Sequence, residues 1–230
     1  MVKDNISRLK SDISLICQRL GRDSKEITIV CVTKFATVSM IEEALKSGMS
    51  HIGENKVQEA LKKYSNWVAS AKITRHMVGH LQTNKVKDAL KIFDVIQSVD
   101  SFHLAKEIEK AAAKLNRRID ILIQVNTAKE AQKFGASQDE ALPLIREVLK
   151  FEHLHVLGLM AVAPLTDKSD IVRNCFRRLR QLRDKAINEF SGQKNIKMKF
   201  LSMGMSSDYK IALEEGSNMV RIGSAIFKNA

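Results

Sequence analysis

Apolar, β-branched runs recur along this chain, each followed by a stretch of helical period. The strand-like runs lie near 27–33, 50–53, 73–78, 94–97, 119–126, 154–160, 198–202 and 218–222. Helical patterns lie near 38–47, 55–70, 84–92, 101–116, 137–150, 169–190 and 208–215. Strand then helix, sustained about eight times, predicts an α/β fold, a single (β/α)8 barrel of the TIM type. A doubly wound open sheet ranks second, because it usually has fewer strands. An extra N-terminal helix precedes the first strand, with Val2, Ile6, Leu9, Ile13, Ile16 and Leu20 on one face. No Pro/Gly-rich linker breaks the rhythm. The only prolines, Pro143 and Pro164, fall in a helix-start region and a loop, so one domain over residues 1–230 is expected.

The bulk numbers exclude several classes. A content of 44% hydrophobic residues over 230 suits a globular core, and no apolar run is long enough to span a bilayer. The first twenty residues space charges among apolar positions, unlike a signal peptide. Cys17, Cys31 and Cys175 have no metal or redox spacing and read as reduced, mostly buried thiols of a cytoplasmic protein. The net charge of +12 raises the question of nucleic acid. The densest basic run, Arg173, Arg177, Arg178, Arg180, Arg183 and Lys185, is interleaved with Val172, Phe176, Leu179, Leu182 and Ala186 at helical spacing. That pattern is a surface helix with an apolar seam and a basic outer face. With aromatics at 5%, no stacking platform is evident, and a nucleic-acid role is not expected. Six histidines contain no HExxH, so no metal site is expected.

Barrels of this kind carry their sites at the C-terminal ends of the strands. The residues there, in order, are Lys34, Glu54-Asn55, Gly79-His80-Leu81-Gln82, Ser98, Asn126 and Met160. Two small-residue turns follow, Met203–Ser207 and Gly223-Ser224, each between a strand and a helix start, with Asp208 a helix-start residue rather than an acid catalyst. Glycine and serine let the backbone approach a ligand, and a helix N-terminus offers free N–H groups, which suggests a phosphate cradle. Lys34 either presents an amine that attacks a carbonyl or turns outward at the strand end. Arg221, inside the last strand, shares a face with Met219 and Gly223. It either points into the pocket, where a pyridine nitrogen or a carboxylate would accept from it, or pairs with an acid such as Glu214 or Glu215. A lysine, a phosphate cradle and an inward arginine together describe a site for pyridoxal 5′-phosphate (PLP).

Six segments in order, VTK (32–34), HIGENKVQE (51–59), HMVGHLQTNK (76–85), GLM (158–160), LSMGMSSD (201–208) and MVRIGSAIF (219–227), give the chain a resemblance. It resembles, nearly end to end, the pyridoxal phosphate homeostasis protein family, which is similar to the N-terminal barrel of alanine racemase. The resemblance implies PLP on Lys34 as a Schiff base and phosphate contacts from Ser206, Gly223 and Ser224. It implies Arg221 facing the pyridine nitrogen, Asn55 lining the pocket, and Met160 and His80 as wall residues. Family members hold or deliver the cofactor without established turnover, affecting vitamin B6 and amino- or keto-acid balance, with PLP-dependent apo-enzymes as possible recipients. A monomer is expected. The alternative is a racemase-like PLP enzyme, which in alanine racemase needs a tyrosine from an added β-domain. The chain stops at Ala230, and its tyrosines are Tyr64 and Tyr209, so the carrier reading is favoured. Two stretches depart from the family pattern. Phe35-Ala36-Thr37 stands where many relatives have a proline, and in 126–137 Lys129 and Gln132 replace the common Gly and Ser, while Asn126, Lys133 and Gly135 are kept.

Overall fold

A computed structural model describes residues 1–65, 67–69, 71–128 and 134–228. Helix α1 (Val2–Arg19) leads into β1 (Thr28–Val32), α2 (Val38–Lys46), β2 (His51–Glu54), α3 (Val57–Tyr64) and β3 (Thr74–Met77). Next come α4 (Val86–Ile92), β4 (Val95–Val99), α5 (Phe102–Lys114), β5 (Ile119–Gln124), α6 (Gln138–Val148) and β6 (Leu154–Met160). The chain continues through α7 (Ser169–Glu189), β7 (Ile196–Ser202), α8 (Tyr209–Glu214), β8 (Met219–Ile222) and α9 (Ser224–Phe227). The strands pair in chain order, all parallel, and β8 closes onto β1 with Arg221 opposite Val30. The expected (β/α)8 barrel with its extra N-terminal helix is therefore the observed fold. No described helix is long and apolar enough to cross a membrane.

Alternation along the strands sorts side chains between the lumen and the helical layer. Val30, Leu122, Met160 and Met219 meet inside the barrel. One large apolar layer lies under α3 to α7, and a second joins α1, α2, α8 and α9 to β1, β2 and β8. Helix α1 buries Val2, Ile6, Leu9, Ile13 and Ile16 as its spacing predicts. Each contributes on the order of 1.5–3 kcal/mol by leaving water. Leu20 is different: it caps the helix, sits outside it and is exposed, while Cys17 completes the buried stripe. All three cysteines are free and buried.

Helix starts follow local hydrogen bonding. Thr37 and Ser101 accept the backbone N–H groups of Met40 and Leu104 at the heads of α2 and α5. Ser137 and Glu140 form a reciprocal capping box on α6. Two expectations shift. The helix expected over 55–70 ends at Tyr64, because the chain then turns so that the Trp67 indole donates to Glu42 on α2 (2.6 Å). Pro143 lies inside α6 rather than at its start, on the exposed side, where a missing backbone donor leaves no buried gap.

Candidate functional site

At the C-terminal end of the barrel a cleft of about 800 Å³ opens between the strand ends. Lys34, Asn55, Ser206, Arg221, Gly223 and Ser224 all line it. They come from four strand ends that the sequence separates by up to 190 residues (Ser224 minus Lys34), and barrel closure brings them together. Val32, Val78, Val162 and Phe134 supply apolar wall. The charged lining residues among those described are Lys34, Arg221 and Lys228, with no carboxylate. Such a cleft favours an anion with a flat apolar body.

Lys34 is separated from the end of β1 by Thr33 alone and is exposed on the rim, its ammonium 4.8 Å from the Phe35 ring centroid. The chain leaves the sheet at Thr33, so the Lys34 side chain stays open to water while it lines the cleft. Behind it the strand end is clamped. Lys63 Nζ donates to the Thr33 carbonyl oxygen (2.5 Å) and to Glu54 Oε1 (2.5 Å), and Thr33 Oγ1 donates to the same carboxylate oxygen (2.7 Å). Glu54, expected on the rim, is thus fully buried behind the wall, and only its neighbour Asn55 lines the cleft. Asn55 depends on Gly79: a Cβ there would stand 2.2 Å from the Asn55 carbonyl oxygen, so only glycine lets the two loops touch.

Arg221 is 4% exposed. Its Nη1 donates to the Ser202 carbonyl oxygen (2.7 Å) and to Ser202 Oγ (2.6 Å), and its Nη2 donates to the Ala161 carbonyl oxygen (2.8 Å). The alternative pairing with Glu214 or Glu215 does not occur. Those acids lie behind α8 and bind Arg173, Arg177 and Arg180 of α7. Burial pushes the Arg221 pKa down to about 10, opposed by the field of the Asp208 carboxylate, so the guanidinium stays charged at neutral pH. Burial in turn raises the pKa of Asp208.

Asp208 occupies the N-cap position of α8, as expected, but its carboxylate reaches back to accept the Met205 N–H (2.5 Å) and so braces the first turn. The two turns are joined where Ala225 N–H donates to Ser206 Oγ (3.2 Å). Gly204, at φ +96°, is required in the first turn, since a Cβ would lie 2.6 Å from that of Ala212.

Other rim expectations move. Ser98 is buried within β4, because that strand runs on to Val99. Met160 lies below the cleft in the barrel lumen, and Asn126 lies past the strand end. His80 does form wall, stacked on Phe134 at 3.9 Å and within 3.5 Å of Asp100. Gln124, the last residue of β5, lines the cleft and donates to the Phe134 carbonyl oxygen (3.0 Å). It is missing from the rim residues expected from the sequence, although its alternation with the lumen residue Leu122 is the signal that places it on the inner face. Lys129, Gln132 and Lys133 lie outside the described residues.

Comparison with known proteins fits this geometry. The profile described as alanine racemase, N-terminal domain, matches residues 5–230. A pyridoxal phosphate homeostasis protein of Aquifex aeolicus is 38% identical, over 97% of this chain and 96% of its own. The chain belongs to the pyridoxal phosphate homeostasis protein family. Among solved structures, PipY of Synechococcus elongatus with PLP bound superposes with a TM-score of 0.85 at 27% identity, covering 99% of this chain and 100% of that one. An alanine racemase of Clostridium difficile shares the fold at 16% identity and a TM-score of 0.76, with 56% of its chain covered. The homeostasis family and the racemase barrel thus share one scaffold with this chain.

Proposed function

We propose that residues 1–230 form one barrel domain that binds PLP on Lys34 and holds it, serving cellular PLP homeostasis, rather than turning over a substrate. One observation carries the reading: Lys34, Arg221 and both serine-glycine turns line a single cleft with no carboxylate among its described residues. The donor set suits the cofactor. Ser206, Ser224 and the backbone at Gly223 would hold the phosphate, at a place where the backbone runs so close that a Cβ on Gly223 would come within 3.3 Å of the Val32 carbonyl oxygen. Arg221 would face the pyridine nitrogen, Asn55 would line the pocket, and Val32, Val78 and Val162 would offer the ring apolar surface. When bound as a lysine Schiff base, PLP supplies an electron sink for charge developing at an amino-acid α-carbon. An arginine keeps its own proton and donates a hydrogen bond, so this chain leaves that sink weaker than an aspartate partner would.

The carrier reading over a racemase-like enzyme is supported by where the tyrosines are. Racemisation by two bases requires a proton donor or acceptor on each face of the ring. Tyr64 OH lies 2.9 Å from Thr33 Oγ1 behind β2, and Tyr209 OH donates to Asp12 on α1 (3.0 Å). Neither lines the cleft. The names of the relatives, homeostasis proteins rather than enzymes, agree. Delivery of PLP to apo-enzymes in the cytoplasm, by a monomer, completes the proposal.

Borohydride reduction of the PLP-loaded protein, then peptide mass spectrometry, tests the attachment. The label belongs on the peptide carrying Lys34, and Lys34→Ala should abolish it; a label retained by that variant overturns the site. For turnover, amino acids incubated with the loaded protein in deuterated water should exchange their α-protons far more slowly than ~1 per second. Exchange at that rate would establish the enzyme instead.

A further inference from the structure

Below the cleft the barrel lumen carries a file of polar side chains that the cofactor reading leaves unused. Arg221 Nη1 donates to Ser202 Oγ (2.6 Å), and Ser202 Oγ donates to Gln97 Oε1 (2.6 Å). Gln97 Nε2 lies 2.9 Å from His76 Nδ1, and His76 Nε2 lies 2.9 Å from His51 Nδ1. The file crosses the lumen from β8 and β7 to β4, then runs through β3 to β2. Arg221, Ser202, Gln97 and His76 are buried, while His51, the first residue of β2, is half-buried. His51 lines a second cleft, of about 720 Å³, at the N-terminal ends of β1 and β2.

The direction of these bonds follows from the donor set at one end and the Gln97 amide orientation in the middle. A guanidinium has five donors and no acceptor. Ser202 Oγ therefore accepts from Arg221 and, with the Gln97 amide oxygen turned toward it, donates its own proton to Gln97. The Gln97 amide then donates to His76 Nδ1, which leaves the His76 proton on Nε2, and His51 Nδ1 must accept it. We propose that Arg221, Ser202, Gln97, His76 and His51 form one directional hydrogen-bond chain through the barrel, by which protonation of His51 at its foot controls how Arg221 is presented to the cleft. The identity of the ligand presented to Arg221 rests on the cofactor reading above; the coupling itself does not.

Protonating His51 places an N–H on Nδ1, opposite the N–H of His76. The last bond then breaks, or the whole chain reverses. Reversal needs the other His76 tautomer and a flipped Gln97 amide. That puts two donors on Ser202 Oγ and sends its hydroxyl proton elsewhere, so Arg221 shares that acceptor with Gln97 and its bond to Ser202 Oγ weakens. Buried networks respond as units in this way because an unpaired polar group is costly there. The groups facing His51 are His76 from β3 and Lys199 from β7, with Lys10 and Lys25 lining the same cleft. Burial and the Lys199 charge both hold its pKa below the usual histidine range, so the chain is intact at neutral pH and is cut only in acid.

Histidine- and arginine-selective ¹⁵N labelling of the full chain tests this without any ligand. Long-range ¹H–¹⁵N spectra at neutral pH should show His51 and His76 both protonated on Nε2. An Nδ1-protonated ring at either position overturns the chain. On acidification the Arg221 guanidinium signal should shift together with the His51 ring, and in Gln97→Met, which cuts the chain midway, it should not. An Arg221 signal that ignores His51 in the wild type, or follows it equally in Gln97→Met, overturns the coupling. With PLP as the probe, lowering the pH from about 7.5 to about 5.5 should weaken wild-type binding about threefold more than that of the variant. The phosphate's own ionisation is common to both proteins and cancels. Failure of the wild type to take up PLP would sink the cofactor reading, while the Arg221 signal still decides the coupling.

Discussion

His76 is 1% exposed and hydrogen-bonded at both ring nitrogens. Burial, with the neighbouring His51, pushes its pKa down to about 3 from the ordinary 6.5. Between those two values the unfolded chain binds a proton at this ring that the folded chain does not. Its share of stability is therefore complete above about pH 6.5 and drains as the pH falls toward 3, at up to about 1.4 kcal/mol per pH unit. Urea denaturation from neutral pH to about pH 4 should show this slope, and His76→Gln should flatten it by about that amount; parallel curves would refute the assignment. A second residue-scale expectation concerns Gly79. Because its Cα faces the Asn55 carbonyl, Gly79→Ala has to part the β2 and β3 loops. It should cost at least about 2 kcal/mol of stability and weaken PLP uptake several-fold, measured by denaturation and by absorbance titration. Neither position announces itself in the sequence. A lone histidine in HMVG and a glycine after a strand are ordinary residues until their partners, more than twenty positions away, are placed beside them.

Elements were far more legible than their polar interior. The eight strands followed from apolar runs, and the two turns at 203–207 and 223–224 followed from small residues placed after strands. Six candidate ligand-binding residues consequently fell in one cleft. What periodicity could not show is where a pattern stops. Helix α3 ends at Tyr64 because Trp67 finds Glu42 on α2, a long-range contact with no local signal. Nor could periodicity assign the arginines of α7. They read as a basic outer face, whereas three of them converge on Glu215, which is 4% exposed, and so bolt α7 to the back of α8. Removing that carboxylate takes from Arg177 and Arg180 the acid they share and leaves Arg173 with Glu214 alone, so like charges crowd at the seam. Glu215→Gln should therefore destabilise the fold by about 1–3 kcal/mol, and the loss should shrink in high salt, where the arginines are screened from one another. A change in the denaturation midpoint that is indifferent to salt would argue for packing rather than charge.

At the scale of the whole molecule the excess of cations bears on association. With a net charge of +12, two copies of this chain repel, and the repulsion reaches about 30 Å at 0.01 M salt but only about 3 Å at 1 M. Much of the charge on α7 is already met within the chain, by Glu214 and Glu215 for Arg173, by Glu215 for Arg177 and Arg180, and by Asp184 for Arg183. The cleft keeps its cations uncompensated by any described lining acid. This distribution favours small anions at the barrel mouth over a continuous basic track for a polymer. Two outcomes follow for the purified protein. Light scattering after size exclusion should return a mass near the 25.9 kDa of one chain at low salt, where repulsion is strongest, and a dimer there would overturn the monomer reading. Duplex DNA should bind only at low salt, without sequence preference, and PLP should not compete with it if the cofactor sits in the cleft as proposed. Competition by PLP would place the polyanion at the cleft itself and would change the account of what the positive charge is for.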